Sequence, residues 1–329
     1  MFTAVVNRFL PLLMAGLVLV FYVDAFLVGA PLPVAVGFAL LGVVVVVGFL
    51  HHADHGDVGA IAAITPLVSA AAALAVLGLS RGLACPVVFS AGAVGSAGGL
   101  LERVTGQRWA GIGAAIYCGA FAGMTSERVL AHPGWVLLAG AMAGVVLELL
   151  QRSWGGIGGK LGSTAFLAVF GVVGLTAAVG AQGPGAHLHS YTDGERVALL
   201  LIALAGSQLT HWLSYARGIG AVLGSALPSV VAGVLLPAPL AAAWMGASFV
   251  GMTAPARLTP APGMVLLAMG LLFGLFSLGF EPSLAGIGGD LGATAAMSVF
   301  AVLGLRRIWQ MQRLRRCVGP AKAHSARTS

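Results

Sequence analysis

The chain reads as an all-α polytopic integral membrane protein of about 12 transmembrane helices, a 5+5 inverted repeat preceded by two extra helices. Three observations predict this class. First, 59% of the 329 residues are hydrophobic, only 8% are charged, and a soluble fold would lack the polar surface it needs. Second, the apolar runs approach the roughly 20 residues that cross a hydrocarbon core, and they are continuous where barrel strands would alternate. Third, GGIGGKLGSTAFLAVFGVVGL at Gly155 to Leu175 returns 130 positions later as AGIGGDLGATAAMSVFAVLGL at Ala285 to Leu305, with 13 of 21 positions identical.

The elements follow in order. Spans are expected at 9–27 and 33–50, and the first is read as uncleaved although VDA near Ala25 imitates a processing site. The stretch 1–59 therefore holds two helices and a His/Asp loop. A first unit, 60–181, contains spans at 60–79, 84–101, 109–125, 134–150 and 160–181. After an external loop at 182–195, a second unit, 196–306, contains spans at 196–214, 218–236, 238–254, 262–280 and 288–306. Residues 307–329 form a basic cytoplasmic tail.

Charge orients the chain, because Lys and Arg concentrate on the cytoplasmic side. With both termini inside, only Arg81, Arg128 and Arg196 of the 17 basic residues fall outside. The expected location is an inner or plasma membrane, the +7 net charge reflects topology, and the tail meets membrane lipid rather than nucleic acid. Cys85, Cys118 and Cys317 show no metal or disulfide spacing. A homo-oligomer stays open.

Five spans per unit is an odd number, so the two copies enter the membrane from opposite sides. Inverted repeats of this kind are typical of secondary transporters and some channels, whose sites lie where the repeats meet and where helices are short or broken. Such a pair is present. The spans at 109–125 and 238–254 are short and share a Phe-x-Gly-Met-Thr ending, formed by Phe121, Gly123 and Thr125 in one unit and Phe249, Gly251 and Thr253 in the other. Prolines follow both endings, so the backbone is expected to unwind there. Close packing is the competing reading for the two glycines.

The duplicated glycine segment opens the last span of each unit. Gly158 and Gly159 precede Lys160, while Gly288 and Gly289 precede Asp290. Consecutive glycines allow N–H groups to converge on an anion at a helix start. Lys160 is expected to attract an anionic group of the substrate and Asp290 to handle a cation or proton; the competing reading is interfacial capping. Glu148 stands four residues before Arg152, which suggests an i, i+4 pair.

Two loops carry metal-type ligands. His51, His52, Asp54 and His55 suit zinc, nickel or cobalt, and a second set is His187, His189, Asp193 and Glu195. Each loop is short and Gly-punctuated, which more often marks a solvated turn. No nucleotide-binding loop or nucleophile elbow is present in a usable context, and no cofactor is implied. The expected function is a transporter, secondary or facilitative, for a small polar or ionic solute, and not an enzyme. A channel with the same core is the alternative, followed by a membrane-embedded enzyme or assembly factor using the His/Asp loops.

Overall fold

A computed structural model describes residues 40–49, 64–150, 153–181, 183, 189–280 and 286–318. All regular elements among them are helical. We number them α1 (Leu40–Phe49), α2 (Ile64–Leu77), α3 (Val87–Thr105), α4 (Ile112–Gly123), α5 (Pro133–Leu149), α6 (Lys160–Ala178), α7 (Asp193–His211), α8 (Ala221–Leu235), α9 (Ala238–Gly251), α10 (Pro262–Phe280) and α11 (Asp290–Val318). Five segments are long and apolar enough to cross a membrane: Ile64–Gly82, Lys160–Ala178, Asp193–Ala216, Pro262–Gly279 and Asp290–Arg313. The chain is thus compatible with a membrane-embedded, multi-pass protein. The span expected at 9–27, and residues 33–39 and 50 of that expected at 33–50, lie outside the described residues.

Element ends depart from expectation for local reasons. Pro86 supplies the N-cap of α3 and moves its start to Val87, and an αL glycine, Gly111, caps the shortened α4. Both α2 and α7 run on as π-helical turns, Gly78–Gly82 and Trp212–Ala216. Helix α11 extends to Val318, well past the expected end at 306, because its Arg- and Gln-rich sequence is itself a good helix former.

Small residues face inward and large aliphatic ones outward. Helix α2 buries Ser69, Ala70, Ala72 and Ala73 while exposing Ile64, Leu67 and Leu74. Helix α8 buries Gly224, Ser225, Ala226, Ser229 and Gly233 and exposes Leu227, Val231, Val234 and Leu235. Water would penalise that arrangement, whereas lipid tails solvate leucine and leave close van der Waals contact to hold helices together.

The two units repeat one contact scheme. In the first, α2 packs on α4 and α5, and α4 also meets α3, α5 and α6; in the second, α7 packs on α9 and α10, and α9 also meets α8, α10 and α11. Between units, α3 lies on α8 and α6 on α11. These contacts are reciprocal. A Cβ added to Gly99 would fall 2.7 Å from Leu223, and one added to Gly233 would fall 2.4 Å from Phe89. Helices α6 and α11 overlap antiparallel along their first turns, with Gly159 against Gly292 and Ala296 and Gly289 against Gly162 and Phe166. Helix α11 is the most enclosed of the five long segments, with 72% of its apolar window buried, which puts this crossing at the core.

Candidate functional site

Helix α4 stops at Gly123 and α9 at Gly251, after 12 and 14 residues. At 1.5 Å per residue these reach about 18 and 21 Å, short of a core of about 30 Å. The threonines close each end in the same way: the Thr125 hydroxyl donates to the Ala122 carbonyl and the Thr253 hydroxyl to the Val250 carbonyl, both at 2.7 Å.

Each end then seats on the glycine segment of the other unit. The Ser126 N–H donates to the Gly286 carbonyl at 2.8 Å, and the matched Ala254 N–H donates to the Gly156 carbonyl at 3.0 Å. Gly288 N–H reaches the Thr125 hydroxyl oxygen at 3.2 Å. On the other side, a Cβ at Gly158 would stand 2.5 Å from the Thr253 hydroxyl oxygen, so glycine is required there by space. Gly159 and Gly289 have φ of +83° and +90°, and this left-handed turn lets the chain enter α6 and α11. Thus Phe121, Thr125, Gly288 and Gly289 gather on one side of the junction and Phe249, Thr253, Gly158 and Gly159 on the other. The Phe121 and Phe249 rings meet at 4.7 Å between them.

Gly123 and Gly251 serve a different purpose. Their Cβ positions would fall 2.5 Å from the carbonyl oxygens of Ala73 and Ser207, inside their own units. Both glycines therefore admit a neighbouring helix.

Lys160 and Asp290 occupy different settings. Lys160 is half-buried, donates from Nζ to the Ser153 carbonyl at 2.6 Å, and lines a cavity of about 600 Å³. Glu148, Thr65, Arg108 and Trp109 line it too. Glu148 is 8% exposed and accepts a hydrogen bond from the Thr65 hydroxyl on α2. Its expected partner, Arg152, lies outside the described residues. Asp290, also half-buried, accepts from the Leu291 N–H at 2.7 Å at the start of its own helix. The polar pair is specific to the first unit. Gly144 of α5 packs on Thr65 and Pro66, whereas its equivalent Gly274 packs on Leu199 and Leu200, and Leu278 stands 130 positions after Glu148.

Sequence reasoning missed two further groups. The π-helical ends of α2 and α7 carry Arg81 and Tyr215 at matched positions. Arg81 donates to the carbonyls of Thr125, Leu130 and Ala131, and Tyr215 donates to that of Met252 at 2.7 Å. Both satisfy carbonyls that the helix breaks release. A buried hydroxyl chain also crosses the junction: Tyr117 and Ser225 are 3.0 Å apart and Ser225 and Ser248 2.7 Å. Tyr117 precedes Phe121 by one helical turn, the only sequence signal that could have drawn attention to it.

His51, His52, Asp54 and His55 lie outside the described residues, among which no group of three His, Cys, Asp or Glu side chains could hold a metal. In the second loop Glu195 completes a capping box with Thr192 at the start of α7 and lies 3.4 Å from His189 Nε2. No family model, curated protein or solved structure matches the chain.

Proposed function

We propose that the chain is a membrane transporter for a small polar or ionic solute, built from two five-span units inverted across an inner or plasma membrane with both termini cytoplasmic. The observation that carries this reading is the reciprocal exchange at the junction: each unit's broken helix rests on the other unit's glycine segment. Reciprocal contacts between equivalent surfaces imply a two-fold relation. An odd number of spans per unit turns that axis into the membrane plane. Broken helices at such an interface are where secondary transporters bind their solutes.

A carrier is preferred to an open channel because Phe121, Phe249, Thr125 and Thr253 fill the junction with at most 3% exposure. Solute must therefore be admitted by movement of one unit against the other. The cavity beside Lys160 and Glu148 is its waiting chamber on one side, and Thr65, Arg108, Glu148 and Lys160, set in a largely apolar lining, select a polar or charged solute. Purified protein in liposomes, offered a panel of labelled amino acids, carboxylates, amines and inorganic ions, should give saturable flux for one class. Absence of flux for every class, or a conductance at rates beyond carrier turnover, would refute the proposal.

A further inference from the structure

A second cleft, of about 280 Å³, lies between the turn after α9 and the C-terminal half of α11. Ala256, Arg257 and Thr259 form one wall; Leu303, Arg306, Arg307 and Gln310 form the other. Among the described residues the lining contains three arginines and no acid. Two of them are fixed by backbone carbonyls: Arg257 donates to Gly155 at 2.9 and 3.1 Å, and Arg306 donates to Arg257 at 3.1 Å and to Thr259. A carbonyl orients a guanidinium without cancelling its charge, so Arg306, with Arg307 beside it, gives the cleft a positive field.

Its depth in the membrane is marked by neighbouring residues. Trp309 is 52% exposed, with the Arg313 guanidinium 3.6 Å from its ring centre. Exposed tryptophan beside arginine on a membrane helix sits at the level of the lipid headgroups. Leu305, also outward-facing, lies one turn deeper, where acyl chains begin.

We infer that this cleft binds the headgroup of an anionic phospholipid. Arginine presents a planar fork of donors that matches phosphate oxygens in pairs, and basic pockets between membrane helices recognise anionic headgroups. Gln310 offers an additional donor to the glycerol or ester oxygens of the same headgroup. A bound headgroup would bridge the turn that follows the Thr253 break to α11, coupling leaflet composition to the mobility of that break.

The test uses the full chain in detergent, with native mass spectrometry counting retained phosphatidylglycerol and phosphatidylcholine. Phosphatidylglycerol should be retained at least tenfold better, and Arg306→Gln with Arg307→Gln should reduce that retention at least fivefold. Arg196→Gln, which removes a cation paired with Asp193 elsewhere, should leave it unchanged. If the double variant misfolds, Arg307→Gln alone should weaken retention at least twofold with an unaltered elution profile. Equal retention of the two lipids, or wild-type retention in properly folded variants, overturns the inference. Displacement of the lipid by millimolar inorganic phosphate would also overturn it, by assigning the cleft to a soluble anion.

Discussion

The crossing of α6 and α11 gives the sharpest energetic prediction. Gly289 has φ +90°, and a Cβ there would lie 2.4 Å from the Gly162 oxygen and 2.5 Å from the Phe166 nitrogen. Both obstacles are backbone, so no side chain can swing aside. Gly289→Ala must hold alanine in a left-handed conformation, costing about 1–3 kcal/mol. It must also separate two packed helices, another 1–3 kcal/mol or so. A total of about 2–6 kcal/mol corresponds to a loss of about 5–20 °C in Tm on the scale of folded domains. Gly159→Ala faces the same obstacles, 2.4 Å from the Gly292 oxygen and 2.5 Å from the Ala296 nitrogen at φ +83°, and should lose a similar amount. Gly171 in the same α6 has nothing within 4 Å, so Gly171→Ala should be neutral or gain up to about 1 kcal/mol. Intrinsic tryptophan fluorescence during heating in detergent measures all three. If Gly289→Ala melted with Gly171→Ala, the packed crossing would be wrong.

Other expectations follow from the same geometry. Tyr215→Phe removes one hydrogen bond to the Met252 carbonyl and should cost about 0.5–1.5 kcal/mol in the same melting assay. Arg81→Leu strips donors from three carbonyls at the first break and should cost more, about 2–4 kcal/mol. In flux assays, Asp290→Asn should abolish dependence on an ion or proton gradient, whereas Lys160→Ala should raise the apparent KM for an anionic solute and leave a neutral one less affected. Wild-type flux in both, at normal protein levels, would reduce the two charges to interfacial helix starts. Gly92→Leu and Gly99→Leu should lower expression, since their Cβ positions already fall 2.9 Å from Val230 and 2.7 Å from Leu223.

Much of the helical plan was legible because composition and run length act along the chain. The duplicated Gly-Ile-Gly-Gly and Phe-x-Gly-Met-Thr segments likewise announced themselves as matched strings, and the structure brings each copy onto the other unit's partner motif. What stayed hidden depends on distance in sequence. Glu148 and Thr65 are 83 positions apart, and the nearby Arg152 offered a simpler local partner. Arg81 and Tyr215 share no residue type, so their common role at the π-helical ends had no sequence pattern to carry it. Helix faces were equally hard to read, because alanine and glycine on one side and leucine on the other count alike as apolar.

The inverted arrangement is tested most directly by side-specific labelling. Glu127 follows the first break and Ala256 the second, and both are exposed. In a background with Cys85, Cys118 and Cys317 replaced, single Glu127→Cys and Ala256→Cys variants in intact cells are treated with a membrane-impermeant maleimide. Glu127→Cys should be labelled from outside and Ala256→Cys only after permeabilisation. Labelling of both from the same side would place the two breaks on one face and contradict the inversion.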